Sequence, residues 1–96
     1  AKGAIEGLTL SLAAEFAPKI KVNCIAPSLT DAKMTQKLVS NENIKKAIEN
    51  MHPIPKIGAG DDFSDIGSYL LSEKNNWITG QIFHIDGGRS TLRIKS

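Results

Sequence analysis

The sequence predicts an α/β protein, and specifically the end of a larger doubly wound parallel sheet. Three observations carry that expectation. Helix-like and strand-like segments follow one another as helix, strand, helices, strand. The strand-like run "IKVNCIA" (Ile20 to Ala26) is β-branched and rich in apolar residues, consistent with burial on both faces. A strand–helix–strand order implies a right-handed crossover between parallel neighbours, and two parallel strands alone leave faces and edges that need further cover.

The first element runs from Ala1 to Ala17 and stops at Pro18, whose ring cannot continue a helix. Ile5, Leu8, Leu12 and Phe16 form a bulky apolar stripe at helical spacing. Gly3, Gly7, Ser11 and Ala14 form a second stripe of small residues. Two such faces imply cover on both sides, by internal core or by a second subunit. The strand Ile20–Ala26 then ends at Pro27, which has no N–H for the ladder.

Two short helices are expected over 32–39 and 43–51, the second capped by Ser40 or Asn41. Ile44, Ala47, Ile48 and Met51 share its apolar face. "HPIPKIGAG" (His52 to Gly60) holds two prolines and two glycines in nine residues and reads as a loop. A fourth helix, 61–72, begins with Asp61 and Asp62 at the positive end of its dipole. Phe63, Ile66 and Leu70 mark its inner edge. The last strand, Gln81 to Asp86, ends at Gly87 and Gly88.

Composition limits the function classes. The 96 residues are 41% hydrophobic and 23% charged, within the range of folded domains, and allow one domain. A net charge of +2 is too small to indicate a nucleic-acid partner. Arg89, Arg93 and Lys95 in the tail lack any groove-reading motif. No apolar run approaches the roughly 20 residues that span a bilayer. The single cysteine, Cys24, has no partner for an internal disulfide and suits a reducing cytoplasm. The absence of an initiator Met suggests a chain that begins within a longer one.

Other chemistry-bearing residues have structural readings. His52 precedes Pro53 in a turn and His84 sits within a strand, far apart in sequence and without clustered Cys or carboxylate partners, so no metal site is expected. Cys24 packs as a small hydrophobe in a strand. Tyr69 is followed at i+4 by Glu73 and belongs to a helix edge. Asp86 shapes the reversal that follows it.

Three stretches in order, "AKGAIEGLTLSLAAEFAPKIKVNCIAPSLTD", "HPIPKIGAGDDFSDIGSYLLS" and "WITGQIFHIDGG", together resemble the carboxyl-terminal part of a classical short-chain dehydrogenase/reductase. The group includes 3-oxoacyl-carrier-protein reductases, and the resemblance spans nearly the whole chain. It implies a Rossmann-type doubly wound sheet, of which residues 1–96 form a single partial domain. It also implies an enzyme that moves a hydride between NAD(P) and a carbonyl or alcohol, with NAD versus NADP undecided.

The resemblance implies residue roles as well. Lys2 falls on the lysine of the family's Tyr-x-x-x-Lys motif, whose tyrosine would lie three residues upstream of Ala1. An adjacent ammonium favours the phenolate of such a tyrosine, and in the family it also holds the nicotinamide ribose. Lys2 is thus a catalytic and cofactor-binding candidate. The Pro-Gly turn that meets the nicotinamide corresponds to Pro27–Ser28, with serine where glycine is usual. Ala32 stands where threonine is frequent, so Thr30 or Thr35 would supply a hydroxyl instead. Pro27, Ser28, Leu29 and Thr30 are the cofactor-binding candidates. Without the tyrosine, the serine and the phosphate loop, the 96 residues alone are expected to be inactive.

A cytoplasmic homotetramer is implied, with a dimer as the alternative and no membrane or nucleic-acid partner. The competing class is a non-catalytic binding or oligomerisation module that keeps the fold segment. The segment that shapes the substrate pocket in the family, Ala32 to about Pro55, does not identify a substrate.

Overall fold

The computed structural model describes residues 2–28 and 40–93. In chain order the elements are α1 (Lys2–Phe16), β1 (Cys24–Pro27), α2 (Glu42–Asn50), α3 (Asp61–Leu71) and β2 (Ile82–Ile85). The helix expected over 32–39 lies outside the described residues. The chain divides into two compact units, residues 1–26 with 64–83 and residues 27–63 with 84–96.

β1 pairs with β2 in a two-stranded sheet. The Gly80 N–H donates to Val22 O at 2.8 Å and the Cys24 N–H to Gln81 O at 2.9 Å. Both partners advance together along the chain, so the strands are parallel, as the crossover argument requires.

β1 is shorter than the run 20–26; Cys24, Ile25 and Ala26 are half-buried and Pro27 is exposed. Side chains explain the late start. The Val22 N–H is taken by Thr79 Oγ1 at 2.9 Å. Asn23 donates from Nδ2 to Ile78 O and accepts the Gln81 N–H, each at 3.1 Å. These side-chain bonds supplement the single backbone bond at Val22 O before the strand begins at Cys24. β2 likewise covers only the middle of the expected 81–86.

The bulky stripe of α1 faces outward among the described residues. Ile5 and Leu8 are more than half exposed, whereas Thr9 and Ala13 are buried. The Thr9 hydroxyl is satisfied within the helix by Ile5 O at 2.8 Å. A Cβ placed on Gly80 would come within 3.6 Å of the Ala13 methyl, so Thr9 and Ala13 mark the face that meets the rest of the first unit, while Gly3, Gly7, Ser11 and Ala14 are exposed.

The polar hub of this unit is Asn75, 1% exposed. Its Nδ2 donates to Leu70 O and Ile78 O, each at 3.1 Å, and its Oδ1 accepts the Ile78 N–H at 2.9 Å. It joins the end of α3 to the turn that leads into β2. Phe63, Ile66 and Leu70 are half-buried, matching the predicted edge of α3.

In the second unit Asn41 caps α2, its side chain accepting from the Asn43 and Ile44 N–H groups. That choice follows from its extended backbone, which aims the carboxamide oxygen at the first turn. Ile48 is the buried residue of the helix, while Ile44 and Met51 remain partly exposed.

Candidate functional site

The candidate site lies in the second unit, where the end of β1 brings Ser28 to a cavity of about 270 Å³. His52, Ile54, Lys56, Asp62, Asp86 and Gly87 complete most of its wall. The cavity sits where a strand gives way to loops, the usual ligand position in open α/β sheets.

His52 follows α2 directly and is 3% exposed. Its Nδ1 lies 2.9 Å from Ile48 O, one helical turn back. Its Nε2 lies 2.9 Å from Ser28 Oγ. A carbonyl oxygen only accepts, so Nδ1 carries a proton. Arg89 approaches the same hydroxyl, its Nη1 donating to Ser28 Oγ at 3.4 Å. Arg89, a tail cation in the sequence, is therefore part of the site's polar cluster.

The loop 52–60 is held over the cavity by backbone and charge. The Ile54 N–H donates to Gly87 O at 2.9 Å. Gly87 has φ +64, and a Cβ there would lie 3.0 Å from Ile54 O and 3.3 Å from the His52 Cβ. Glycine is required twice over, by the left-handed backbone and by the close approach. Asp86 directs this reversal, its Oδ1 accepting the Gly88 N–H at 3.0 Å and its Oδ2 the Ser90 N–H at 3.1 Å. The Ser90 side-chain hydrogen bond, aided by these backbone donors, holds the Asp86 carboxyl below its usual range.

On the opposite wall Lys56 Nζ donates to Asp62 Oδ1 at 2.6 Å, and the Ala59 N–H donates to Asp62 Oδ2 at 2.7 Å. The Lys56 bond, then the Ala59 bond, lowers the Asp62 pKa. Asp62 thus stiffens the loop ahead of α3 in addition to facing that helix's dipole.

The sequence-predicted site residues distribute as follows. Lys2 is the first residue of α1, in the first unit. Pro27 closes β1 and is exposed; Ser28 follows it on the cavity wall. Leu29 and Thr30 lie outside the described residues. Reading the sequence missed His52 as a partner of Ser28, because 24 positions separate them. The only available signal was its place one turn beyond Ile48, at a helix end. Among the described residues no three His, Cys, Asp or Glu side chains gather to hold a metal ion. No described helix is long and apolar enough to cross a membrane.

Comparison with known proteins gives this geometry a family. A family profile described as enoyl-(acyl carrier protein) reductase matches residues 1–90. An uncharacterized oxidoreductase of Mycobacterium tuberculosis is 38% identical over 90 residues, covering 93% of this chain and 36% of the relative. The 3-oxoacyl-acyl-carrier-protein reductase of Chlamydia trachomatis is 36% identical over 89 residues, covering 92% and 35%. The chain spans about a third of the length of the curated relatives it matches.

Among solved structures, 4-hydroxyisoleucine dehydrogenase complexed with NADH superposes with a TM-score of 0.87 at 32% identity, over 96% of this chain and 38% of that one. ElxO with NADP bound gives 0.85 at 39% identity, over 95% and 38%. The backbone is thus that of a Rossmann-like α/β fold with a parallel sheet. The chain belongs to the short-chain dehydrogenase/reductase family of oxidoreductases.

Proposed function

We propose that residues 1–96 are the carboxyl-terminal segment of one Rossmann-like domain in an NAD(P)-dependent oxidoreductase acting on a carbonyl or alcohol. The observation that carries the reading is Ser28: it follows Pro27 at the carboxyl end of β1 and opens onto the cavity. The similar 4-hydroxyisoleucine dehydrogenase and ElxO have been solved with NADH and NADP bound, respectively. At about 270 Å³ the cavity is smaller than the roughly 300–1,000 Å³ of whole-ligand pockets. It suits the nicotinamide end of a dinucleotide, and its hydroxyl and backbone groups match a carboxamide. NAD versus NADP stays open.

A bound nicotinamide supplies or accepts the hydride. Pro27, Ser28, Leu29 and Thr30 would hold its ring end and exclude water from one face. Lys2 would favour the phenolate of a neighbouring tyrosine and hold ribose hydroxyls. The 96 residues contain no glycine-rich dinucleotide fingerprint, so expressed alone they would give no turnover. The intact enzyme would be a cytoplasmic homotetramer or dimer. The competing reading, a non-catalytic assembly module, keeps the fold but requires no cofactor.

The two separate by titrating NADH and NADPH into the full-length protein and assaying a panel of ketones. Cofactor binding with turnover is expected, and Lys2→Met should lower kcat by roughly 10²–10⁴-fold. Absence of binding to both cofactors would favour the assembly module.

A further inference from the structure

We infer that His52 is a positioning residue that makes the Ser28 hydroxyl a hydrogen-bond acceptor toward the cavity, matched to the amide N–H of a nicotinamide carboxamide. The inference rests on the proposed cofactor reading and adds to it a polarity and a residue.

The argument starts from the ring. His52 is 3% exposed, so its two nitrogens must find their partners within the protein. Ile48 O, 2.9 Å from Nδ1, can only accept, which puts the proton of the neutral ring on Nδ1. Nε2 then carries a lone pair and faces Ser28 Oγ at 2.9 Å. The hydroxyl must turn its single proton to Nε2. Arg89 Nη1 donates to the same oxygen at 3.4 Å, using one of its two lone pairs. What the hydroxyl can still offer the cavity is the other lone pair.

That polarity selects a ligand group. An N–H or O–H donor completes the hydroxyl's bonding, whereas a carbonyl or carboxylate oxygen would meet a second acceptor. The carboxamide NH₂ is such a donor and belongs to the cofactor itself. A substrate alcohol is another, and binding of cofactor without substrate tells them apart. The same logic rules out Ser28 as a proton donor to a substrate carbonyl while the neutral ring takes its proton. The arrangement also binds the end of α2 to the end of β1 inside one unit, so the side chain is oriented before a ligand arrives.

The test compares NADH (or NADPH, if preferred) with its 3-acetylpyridine analogue, where methyl replaces the amide NH₂. Affinities are measured by calorimetry without substrate, on the full-length protein. The wild type is expected to prefer the amide cofactor by about fivefold, the scale of one hydrogen bond. His52→Phe should reduce that preference to near parity, and Ser28→Ala should do the same without touching the buried ring. His52→Gln should restore it, because one carboxamide can donate to Ile48 O and accept from Ser28. Equal affinities in the wild type, or an undiminished preference in Ser28→Ala, would overturn the inference while leaving the cofactor reading intact. Failure of the wild type to bind any nicotinamide cofactor would overturn both. Should His52→Phe not fold, the Ser28→Ala and His52→Gln ratios decide the matter alone.

Discussion

Asn75 and Ile78 close a ring of two hydrogen bonds, the asparagine amide donating to the Ile78 carbonyl at 3.1 Å and its oxygen accepting the Ile78 N–H at 2.9 Å. With the third bond, to Leu70 O, one side chain satisfies three backbone groups beside β2. Replacing it with alanine removes all three bonds in a site where Asn75 is only 1% exposed, leaving Ile78 O its second donor, Asn23 Nδ2. Asn75→Ala is therefore expected to destabilise the fold by about 2–3 kcal/mol. Urea unfolding of the full-length protein measures it, and a loss near zero would mean that water takes over the bonds.

Asp86 sets an acid limit on the turn beside the cavity. Its folded pKa lies below the usual carboxylate value of 3.8, chiefly through the Ser90 side-chain hydrogen bond. A depressed folded pKa contributes stability that is complete above the unfolded value and fades as pH falls through the folded one. The Asp86 contribution should thus be constant at neutral pH and disappear below 3.8. Asp86→Asn should have a lower Tm than wild type at neutral pH, with the gap narrowing in acid. A gap that widens in acid would contradict the sign.

The exposed small residues of α1 bear on the proposed assembly. A Cβ added at Gly3 or Gly7 meets nothing within 4 Å inside the chain, and Ser11 is exposed. If a partner helix packs closely there, Ser11→Leu should dissociate one contact at a cost of about 1–3 kcal/mol. Light scattering on the full-length protein and the variant reads the change in mass. A monomeric wild type at micromolar concentration would assign this face to the protein's own interior.

Much of the architecture was legible in the sequence because it depends on neighbours a few positions apart. Pro18 and Pro27 mark the ends of α1 and β1, Asn41 caps α2, and Asp86 shapes the reversal through groups two and four positions on. Parallel pairing followed from the order of strand, helices and strand. The motif stretches also carried the family, since their order and spacing survive in a linear string.

Element lengths and the site's inner contacts were decided only by tertiary structure. β1 begins at Cys24 rather than Ile20 because Thr79, Ile78 and Gln81 bond Val22 and Asn23, more than fifty positions away. Which side of α1 meets the rest of its unit was decided by Thr9 and Ala13, the latter against Gly80, a match that periodicity along one helix does not contain. Ser28 was legible as a candidate, but His52 became its partner only when the end of α2 met the end of β1. Periodicity and caps are local properties, set by bonds within a helical turn or two. A hydrogen bond between residues 24 positions apart depends on the path of the whole intervening chain, and only the folded backbone specifies that path.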